Sequence, residues 1–324
     1  MKFNNASMIV IMLLSTLMVM SSNNWFSMWM GMEINLMSFI PILKMNNKES
    51  SNNMMIYFLS QSMGSMLFLY TLLATWLTPS NHEQLMMSMI MVSMMIKLGM
   101  PPAHTWMIMM LNNMDWMNCL LLMTVQKLAP MTVMYSMTNM VNETFIIVTI
   151  ATIIGTIGGI NQTSLRKMMG YSSISHTGWM VMLTTHNTLW MSYFTIYTMI
   201  VFMICFMLNN ESIFFLNQLN MMKLNNKISF SINMISMSGL PPMMGFVPKW
   251  IAIQYLINSN MTVIAFIMVM TSLLSLYFYM TMVLPSLTME STTIKMMPKT
   301  EKTYSMMTIL SLTMPLFLTL NILI

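Results

Sequence analysis

The chain of 324 residues is 56% hydrophobic and only 6% charged, with a net charge of +5. Soluble domains carry about 25% charged residues, so this composition excludes a water-soluble globular protein and predicts an all-α polytopic membrane protein. The two cysteines, Cys119 and Cys205, lie far apart in apolar runs and the four histidines show no metal-ligand spacing, which argues against an iron–sulfur cluster, a disulfide framework or a metal site in this chain.

Apolar runs predict eleven transmembrane helices, most of them near the roughly 20 residues that cross a bilayer. The first resembles the apolar part of a signal peptide, but no cleavage pattern follows it, so we interpret it as a retained span. The approximate ranges of the eleven are 6–20, 25–43, 53–77, 84–111, 116–137, 143–160, 170–184, 189–208, 228–257, 261–284 and 304–320.

The positive charges of the loops fall on one side of this topology. All but three of the 13 Lys and Arg residues lie in loops on the side of the N-terminus, called side A here. A wrong helix count would mix the two sides, so the asymmetry favours eleven spans. By the positive-inside rule, side A faces the cytoplasm or the mitochondrial matrix, and the C-terminus ends on the opposite side.

Two predicted helices, the fourth and the ninth, are interrupted by Gly-x-Pro-Pro. The interruptions read KLGMPPAHTW from Lys97 and SGLPPMMGFVPKW from Ser238. Two adjacent prolines break a helix, and broken backbone inside a bilayer is tolerated only where it faces protein or water. Ordinary proline kinks are the alternative interpretation, but they leave the lysine near each break unexplained.

The position of the two breaks predicts an inverted repeat. The interrupted helices are five spans apart, so they cross the membrane in opposite directions, as in repeat-built transporters with a path at mid-membrane. We expect a single antiporter-like membrane domain over 1–324, with repeat one at about 1–140, repeat two at about 141–285 and an extra C-terminal helix at about 304–320.

Four charged residues lie near the middle of four predicted spans: Glu33, Lys97, Lys127 and Lys249. Each costs roughly 2.5–3.5 kcal/mol to insert into a bilayer unless it is paired or hydrated. Three lysines cannot all pair with one glutamate, so we expect some of them to exchange protons readily. We interpret the set as a proton relay in which Glu33 pairs with Lys97, Lys127 is the central relay and Lys249 is a terminal donor or acceptor.

Two histidines are candidate accessory groups of this relay. His104 follows the first break and His176 lies inside the seventh span. Either could link lysines through water, because histidine titrates near neutral pH. The alternative for each is a core residue with satisfied hydrogen bonds, and the sequence does not decide between the two.

For the four charged residues, the alternative is that they only hold helices together. This alternative accounts for one pair but not for two further lysines.

At these residues the chain resembles the antiporter-like subunits of NADH–ubiquinone oxidoreductase (respiratory complex I), in particular the chain 2 family in its short animal mitochondrial form. The matching stretches run in order through most of the chain. The family often has Pro-Phe-His-Phe-Trp followed by Pro-Glu, whereas here Ala103, Thr105 and Met107 intervene and no glutamate follows, so the resemblance implies no role for a loop carboxylate near Asn112. The stretches are WMGMEIN, MIKLGMPPAH, WMNCLLLMTVQKLAP, GGINQTSLRKMMGYSSISHTGWM and SGLPPMMGFVPKW.

The resemblance implies a function that the chain performs as part of a larger assembly. It implies proton translocation by a subunit of an H⁺-translocating NADH:ubiquinone reductase, with Glu33 and Lys97 as an ion pair, Lys127 as the central lysine and Lys249 in the second broken helix. NADH, FMN, iron–sulfur clusters and ubiquinone would belong to other subunits. Its partners would be the other membrane-arm subunits and the lipid bilayer, with no nucleic acid.

The same resemblance implies a location in the mitochondrial inner membrane, with the N-terminus in the matrix and the C-terminus in the intermembrane space. Two other functions remain open at this point. The chain could be a stand-alone cation/proton antiporter of related ancestry, or a structural membrane scaffold without a transport role.

Overall fold

The computed structural model of the chain describes residues 2–44, 48–77, 83–137, 141–185, 189–222, 224–241 and 243–288. These ranges are almost entirely helical, and an isolated β-bridge joins Ser164 to Phe215. A 3₁₀ helix covers Leu216–Met221. The α-helices are α1 (Lys2–Ser21), α2 (Trp25–Leu43), α3 (Lys48–Leu77), α4 (Glu83–Leu98), α5 (Thr105–Asn112), α6 (Trp116–Met123), α7 (Val125–Ser136), α8 (Val141–Ile160), α9 (Leu165–Thr184), α10 (Leu189–Glu211), α11 (Leu224–Ser238), α12 (Phe246–Asn258) and α13 (Thr262–Thr288).

The all-α class is confirmed for the described residues, and the composition of the helices makes this a multi-pass membrane protein. The predicted eleventh helix, 304–320, lies outside the described residues, so the count of eleven stays a prediction. Ala6–Ser21, Leu85–Leu98 and Thr144–Ile160 are shorter apolar helices. Five segments are long and apolar enough to cross a membrane: Trp25–Leu43, Ser50–Leu77, Trp116–Ser136, Leu189–Glu211 and Thr262–Leu284.

The chain divides into two compact units. The first comprises Met1–Ile154 and Ser173–Trp190, and the second comprises Gly155–Ser172 and Met191–Ile324. In the first unit α7 packs against α1, α2 and α4, so the helix that carries Lys127 lies in the interior. In the second unit α13 packs against α11, α12 and the 3₁₀ helix.

The first predicted break separates α4 from α5 and is closed by a Schellman motif. Gly99 adopts a left-handed backbone conformation, with φ of +67°, which costs glycine little because it has no Cβ. The amide of Met100 donates to the carbonyl of Met95 at 2.9 Å, and the amide of Gly99 donates to the carbonyl of Ile96 at 3.2 Å. These two bonds satisfy carbonyls that a helix end would otherwise leave unpaired.

Side chains supply two further donors to carbonyls at this helix end. Trp106 Nε1 donates to the Ile96 carbonyl at 3.1 Å, and Gln61 Nε2 donates to the Lys97 carbonyl at 3.2 Å. The interruption is therefore compatible with an apolar environment, because its backbone acceptors face donors from the protein.

The second break separates α11 from α12 and is closed differently. Gly239 is again left-handed, with φ of +80°, and its amide donates to the Ser236 carbonyl at 3.1 Å. The last carbonyl of α11, that of Ser238, accepts a hydrogen bond from Lys249 Nζ at 2.7 Å. The second proline of this motif, Pro242, lies outside the described residues.

Two features differ from the sequence prediction. The predicted fifth span is divided into α6 and α7 at Thr124, whose hydroxyl donates to the Leu120 carbonyl at 2.7 Å. Neither Gly nor Pro signals this division. The ninth span begins at Leu224 and not near Ile228, so Lys227, which we assigned to a loop, lies in the first turn of α11 and is buried.

We predict that Gly245→Ala disrupts the second break. A Cβ at this position would overlap the carbonyl oxygen of Ser236, a backbone atom that cannot move aside without unwinding α11. The expected loss of stability is about 1–3 kcal/mol or more, visible as less intact chain in membranes and a lower temperature of thermal aggregation.

Gly159→Ala is the matched control for this prediction. A Cβ there would meet the Phe278 ring at 3.4 Å, an ordinary van der Waals contact. Equal abundance and equal thermal stability of the two variants would contradict the packing described for Gly245.

Candidate proton-transfer site

Lys97 lies in the last turn of α4, directly before the first break, and is only 6% exposed. Its Nζ contacts the sulfur of Met32 on α2 at 3.7 Å. Its aliphatic stem passes along Gly64 of α3, where a Cβ would lie 2.9 Å from Lys97 Cγ. The side chain is thus held along its length, while a weak acceptor faces its ammonium group.

Glu33 lies one residue from that methionine, on α2, and is half-buried. It is near enough to act electrostatically on Lys97 and on Tyr57. Its Oε1 atom is buried and accepts no hydrogen bond from the part of the chain that the structure describes. Among those residues Glu33 and Lys97 do not form the direct ion pair that the sequence predicted, because Met32 occupies the contact with Nζ.

Lys127 lies in the first turn of α7 and is 2% exposed. Its Nζ donates to the carbonyl of Ser173 on α9 at 3.0 Å. The same carbonyl accepts the hydroxyl of Thr177 at 3.1 Å. A main-chain carbonyl supplies an acceptor for the ammonium group but carries no negative charge itself.

One cavity brings Lys97 and Lys127 together. Both lysines line it, and its volume of about 10 Å³ is close to the smallest that accommodates one water molecule. The other polar side chains of its wall belong to Tyr57, Gln61 and Gln126. A cavity with several polar groups is the kind that holds water, whereas apolar cavities stay dry.

The polar wall of this cavity is part of a hydrogen-bonded network of side chains from three helices. The hydroxyl of Tyr57 on α3 donates to Gln126 Oε1 on α7 at 2.8 Å. Gln126 Nε2 donates to Asn35 Oδ1 on α2 at 3.1 Å. Sequence analysis did not predict this hydrogen-bonded network, although the sequence contains a signal for it. Gln126 and Gln61 are amides within apolar spans, and Gln126 directly precedes Lys127.

Lys249 belongs to the second compact unit, in the first turn of α12. It is 6% exposed, and its Nζ donates to the Ser238 carbonyl at 2.7 Å. Its stem lies against Gly239, where a Cβ would be 2.8 Å from Lys249 Cδ. The lysines of both broken helices therefore run beside a glycine.

The two histidines differ in their surroundings. His104 is half-buried in the turn between α4 and α5, with Nδ1 3.3 Å from the Pro102 carbonyl. His176 is 6% exposed within α9, one turn beyond the Ser173 carbonyl that Lys127 contacts. Neither lines the cavity between the lysines, so their accessory role stays a prediction.

The described part of the chain contains no group of three or more His, Cys, Asp or Glu side chains that could hold a metal ion. Cys119 and Cys205 are both buried and lie outside any disulfide. The cavity and its surroundings offer amines, amides, a phenol and a nearby carboxylate, which are groups that can exchange protons.

Comparison with known proteins assigns the chain to a family. Residues 22–275 match the family described as NADH:quinone oxidoreductase/Mrp antiporter, transmembrane. The chain is also similar to NADH-ubiquinone oxidoreductase chain 2 of Anopheles gambiae, with 38% identity over 86% of this chain and 84% of that protein. The chain belongs to the NADH:quinone oxidoreductase/Mrp antiporter family.

The chain is also similar to a second curated relative and to a solved structure. NADH-ubiquinone oxidoreductase chain 2 of Locusta migratoria is 39% identical over 86% of this chain and 84% of its own. A chain in the structure of respiratory complex I from Thermus thermophilus superposes with a TM-score of 0.87 at 18% identity, covering 98% of this chain and 79% of that one. At that identity the superposition establishes a shared fold.

We predict that the Tyr57–Gln126 hydrogen bond contributes to the stability of this family member in a way that a double-mutant cycle detects. Gln126→Met keeps the length of the side chain but leaves the buried Tyr57 hydroxyl without this acceptor, at a cost of about 1–3 kcal/mol. Adding Tyr57→Phe removes the unsatisfied hydroxyl, so the double variant should be no less stable than Gln126→Met alone. Thermal aggregation of the purified assembly measures both effects, and strictly additive losses would argue against the hydrogen bond.

Proposed function

We propose that the chain is a proton-translocating membrane subunit of the respiratory NADH:ubiquinone oxidoreductase in the mitochondrial inner membrane. The observation that carries the proposal is the polar cavity that Lys97 and Lys127, two buried lysines from different helices, both line, with a volume of about 10 Å³, near the smallest that holds a water molecule. Buried ionisable groups are expensive in a membrane and are retained where they form ion paths. The names of the relatives from mosquito and locust support the assignment to this enzyme.

The proposed elementary step is a proton transfer through one water molecule. Protonated Lys97 gives a proton from Nζ to the water, and the water gives one of its own protons to the neutral amine of Lys127. The positive charge thereby moves from α4 to α7 and the water is regenerated. Gln126 and Gln61 in the wall offer amide groups that can orient that water through hydrogen bonds.

Glu33 is proposed to set the charge of Lys97. Its carboxylate lies near enough to act electrostatically on this lysine, without a direct ion pair to hold the proton in place. When Glu33 is ionised it stabilises the ammonium form of Lys97, and when it is protonated that stabilisation is lost. A change in the protonation of Glu33 would therefore release a proton from Lys97 toward Lys127.

Lys249 is proposed as the terminal group of the relay, with His104 and His176 as accessory groups. The oxidation of NADH and the reduction of ubiquinone would take place in other subunits, which bind FMN and the iron–sulfur clusters. The chain would act beside other membrane-arm subunits within the bilayer. It would form a single antiporter-like domain of two inverted five-helix repeats, 1–140 and 141–285, and an extra C-terminal helix.

A stand-alone cation/proton antiporter is the alternative, because the family also includes Mrp antiporters. We favour the oxidoreductase subunit because the relatives that match most of the chain carry the oxidoreductase name. Native electrophoresis of mitochondrial membranes separates the two functions. The proposal requires the chain to migrate with NADH-oxidising activity in a large assembly, and migration of the chain alone would overturn it.

We predict that Lys97→Met and Lys127→Met each leave the assembly intact but reduce NADH-driven proton transfer by about tenfold or more, the scale on which positioned proton-transfer groups contribute. Methionine preserves the length of the apolar stem and removes the proton-carrying amine. Proton uptake by membrane vesicles measures the effect, with the amount of assembled enzyme determined on native gels.

Lys44→Met is the control for these variants. Lys44 is exposed at the end of α2, so its loss removes one positive charge without touching the cavity. Normal proton transfer in Lys97→Met and Lys127→Met, with a full complement of enzyme, would refute the relay and leave the scaffold interpretation.

We further propose that side A faces the matrix, which places the N-terminus there and the C-terminus in the intermembrane space. α9 tests this orientation because its 20 residues extend about 30 Å, the thickness of the apolar core. Cysteine introduced at Lys167 should react with a membrane-impermeant reagent only from the matrix side, and cysteine at Thr185 only from the opposite side. Labelling of both from one side would exclude the proposed topology.

Native cysteines give little background in this labelling experiment, because Cys119 and Cys205 are both 0% exposed. The unsubstituted chain is the control in each orientation of the membrane. Exchange of the two labelling sides would reverse the orientation but leave α9 as a span.

A further inference from the structure

Two connections at one end of the second compact unit are joined by main-chain hydrogen bonds. The amide of Leu165, at the start of α9, donates to the Phe214 carbonyl at 3.0 Å, and the amide of Leu216 donates to the Thr163 carbonyl at 3.2 Å. The 3₁₀ helix continues from this bridge and packs against α13. The connection before α9 and the connection after α10 therefore form one ordered surface. This surface, called the bridge surface here, comprises residues 163–167 and 214–221.

The bridge surface carries positive charge and no negative charge. Its charged residues are Arg166 and Lys167, and neither of its two segments contains an acidic residue. Between Glu143 and Glu290 the sequence has a single acidic residue, Glu211. The Glu211 carboxylate accepts a hydrogen bond from Asn226 Nδ2 at 2.8 Å, which engages it at the start of α11. The bridge surface is therefore suited to an anion.

Both cations lie in the first turn of α9, where they are electrostatically unfavourable. The N-terminus of a helix is the positive end of its dipole, so it attracts anions and disfavours Lys and Arg. Ser164, which directly precedes α9, is 6% exposed, and its buried Oγ makes no hydrogen bond with the described residues. A serine at this position usually accepts a hydrogen bond from a first-turn amide. An anion bound at the start of α9 would replace this cap and offset the charge of both basic side chains.

Arg166 is held over an aromatic ring of the neighbouring connection. Its Cζ lies 4.6 Å from the centroid of the Phe214 ring, a cation–π contact that orients the guanidinium group. A basic residue that only fixes the topology of a membrane protein needs no such contact. A guanidinium group matches the oxygen atoms of a phosphate group in a bidentate geometry, so the anion that fits this residue best is a phosphate group.

Two large apolar side chains are exposed on the same surface. Phe215 is 50% exposed and Met221 is 73% exposed. They follow α10, which is long and apolar enough to cross a membrane. At such a position apolar side chains enter the boundary between lipid headgroups and acyl chains. A lipid can contact the basic and the apolar side chains together, whereas free phosphate offers no apolar contact.

We infer that the bridge surface binds a phospholipid with an anionic headgroup. Its phosphate is held by Arg166, Lys167 and the start of α9, and its acyl chains cover Phe215 and Met221. Basic pockets at the ends of membrane helices suit such headgroups, and the positive charge repels the choline group of a zwitterionic lipid. This site goes beyond the proposed function and uses none of the proposed relay residues, so either proposal can fail without the other.

The test uses the assembled enzyme in nanodiscs of phosphatidylcholine that contain a small fraction of phosphatidylglycerol with a photoreactive acyl chain. After illumination, mass spectrometry locates the lipid adducts on this chain. We expect adducts on the peptide that contains Phe215 and Met221. Unlabelled phosphatidylglycerol should displace the probe, whereas the same amount of added phosphatidylcholine, or millimolar inorganic phosphate, should not.

Substitutions at the two basic residues test which groups hold the headgroup. Arg166→Gln and Lys167→Gln should each reduce adduct formation by about fivefold, the effect of one basic residue near an anionic headgroup. Arg166→Lys keeps the charge and should lose less than Arg166→Gln. Lys44→Gln is the matched control, because it removes an exposed basic residue at the end of α2, in the first unit, and should leave the adducts unchanged.

Several results would overturn the inference. Absence of adducts on this peptide in the assembled enzyme would mean that another subunit covers the bridge surface. Equal displacement by phosphatidylcholine would exclude selection of an anionic headgroup, and displacement by inorganic phosphate would identify a site for free phosphate. Unchanged adduct formation in Arg166→Gln and Lys167→Gln would exclude these residues as ligands.

Ionic strength gives a second measurement that needs no substitution, for the case that Arg166→Gln does not assemble. Adduct formation on the unsubstituted enzyme should fall severalfold as salt is raised, because salt screens the attraction between the headgroup and the basic side chains. Adduct formation that does not depend on salt would contradict electrostatic binding at this surface.

Discussion

A carbonyl group at the end of an interrupted helix and a buried ammonium group each need a partner that a lipid bilayer does not supply, and in this chain they meet the need together. Lys249 donates to the last carbonyl of α11, and Lys127 donates to a carbonyl within α9. Each of these hydrogen bonds lowers the cost of burying the charge. The second interruption depends on its bond to Lys249, and the proposed relay uses both amines.

The two interruptions reach the same result by different means. The first uses the backbone amides of Gly99 and Met100 and the side chains of Trp106 and Gln61 to pair its carbonyls. Lys97, although adjacent, directs its amine to the Met32 sulfur and lines the cavity that it shares with Lys127. At the second interruption the lysine itself supplies the donor. The likeness of the two motifs in sequence therefore conceals a difference in what each lysine binds.

Much of the fold and of the candidate site could be predicted from the sequence. Gly-x-Pro-Pro located both interruptions because proline and left-handed glycine act locally, and charged residues in apolar runs predicted the four groups of the proposed relay. The division at Thr124 was not predictable, since it lacks a local signal, and the buried position of Lys227 depends on where α11 begins. The contact of Met32 with Lys97, in place of the Glu33 pair, depends on packing between helices. The network of Tyr57, Gln126 and Asn35 likewise joins positions far apart in the chain.

The glycines beside the lysine stems have a consequence for how inherited or experimental variants of this protein are interpreted. Gly64 and Gly239 leave room for the methylene groups of Lys97 and Lys249, and any larger residue would press on those groups. A Cβ at Gly64 would press on the methylene groups of Lys97 and would lie 3.2 Å from the Ser93 carbonyl oxygen. If Lys97 carries protons as proposed, a substitution there would lower energy conversion as well as the amount of protein.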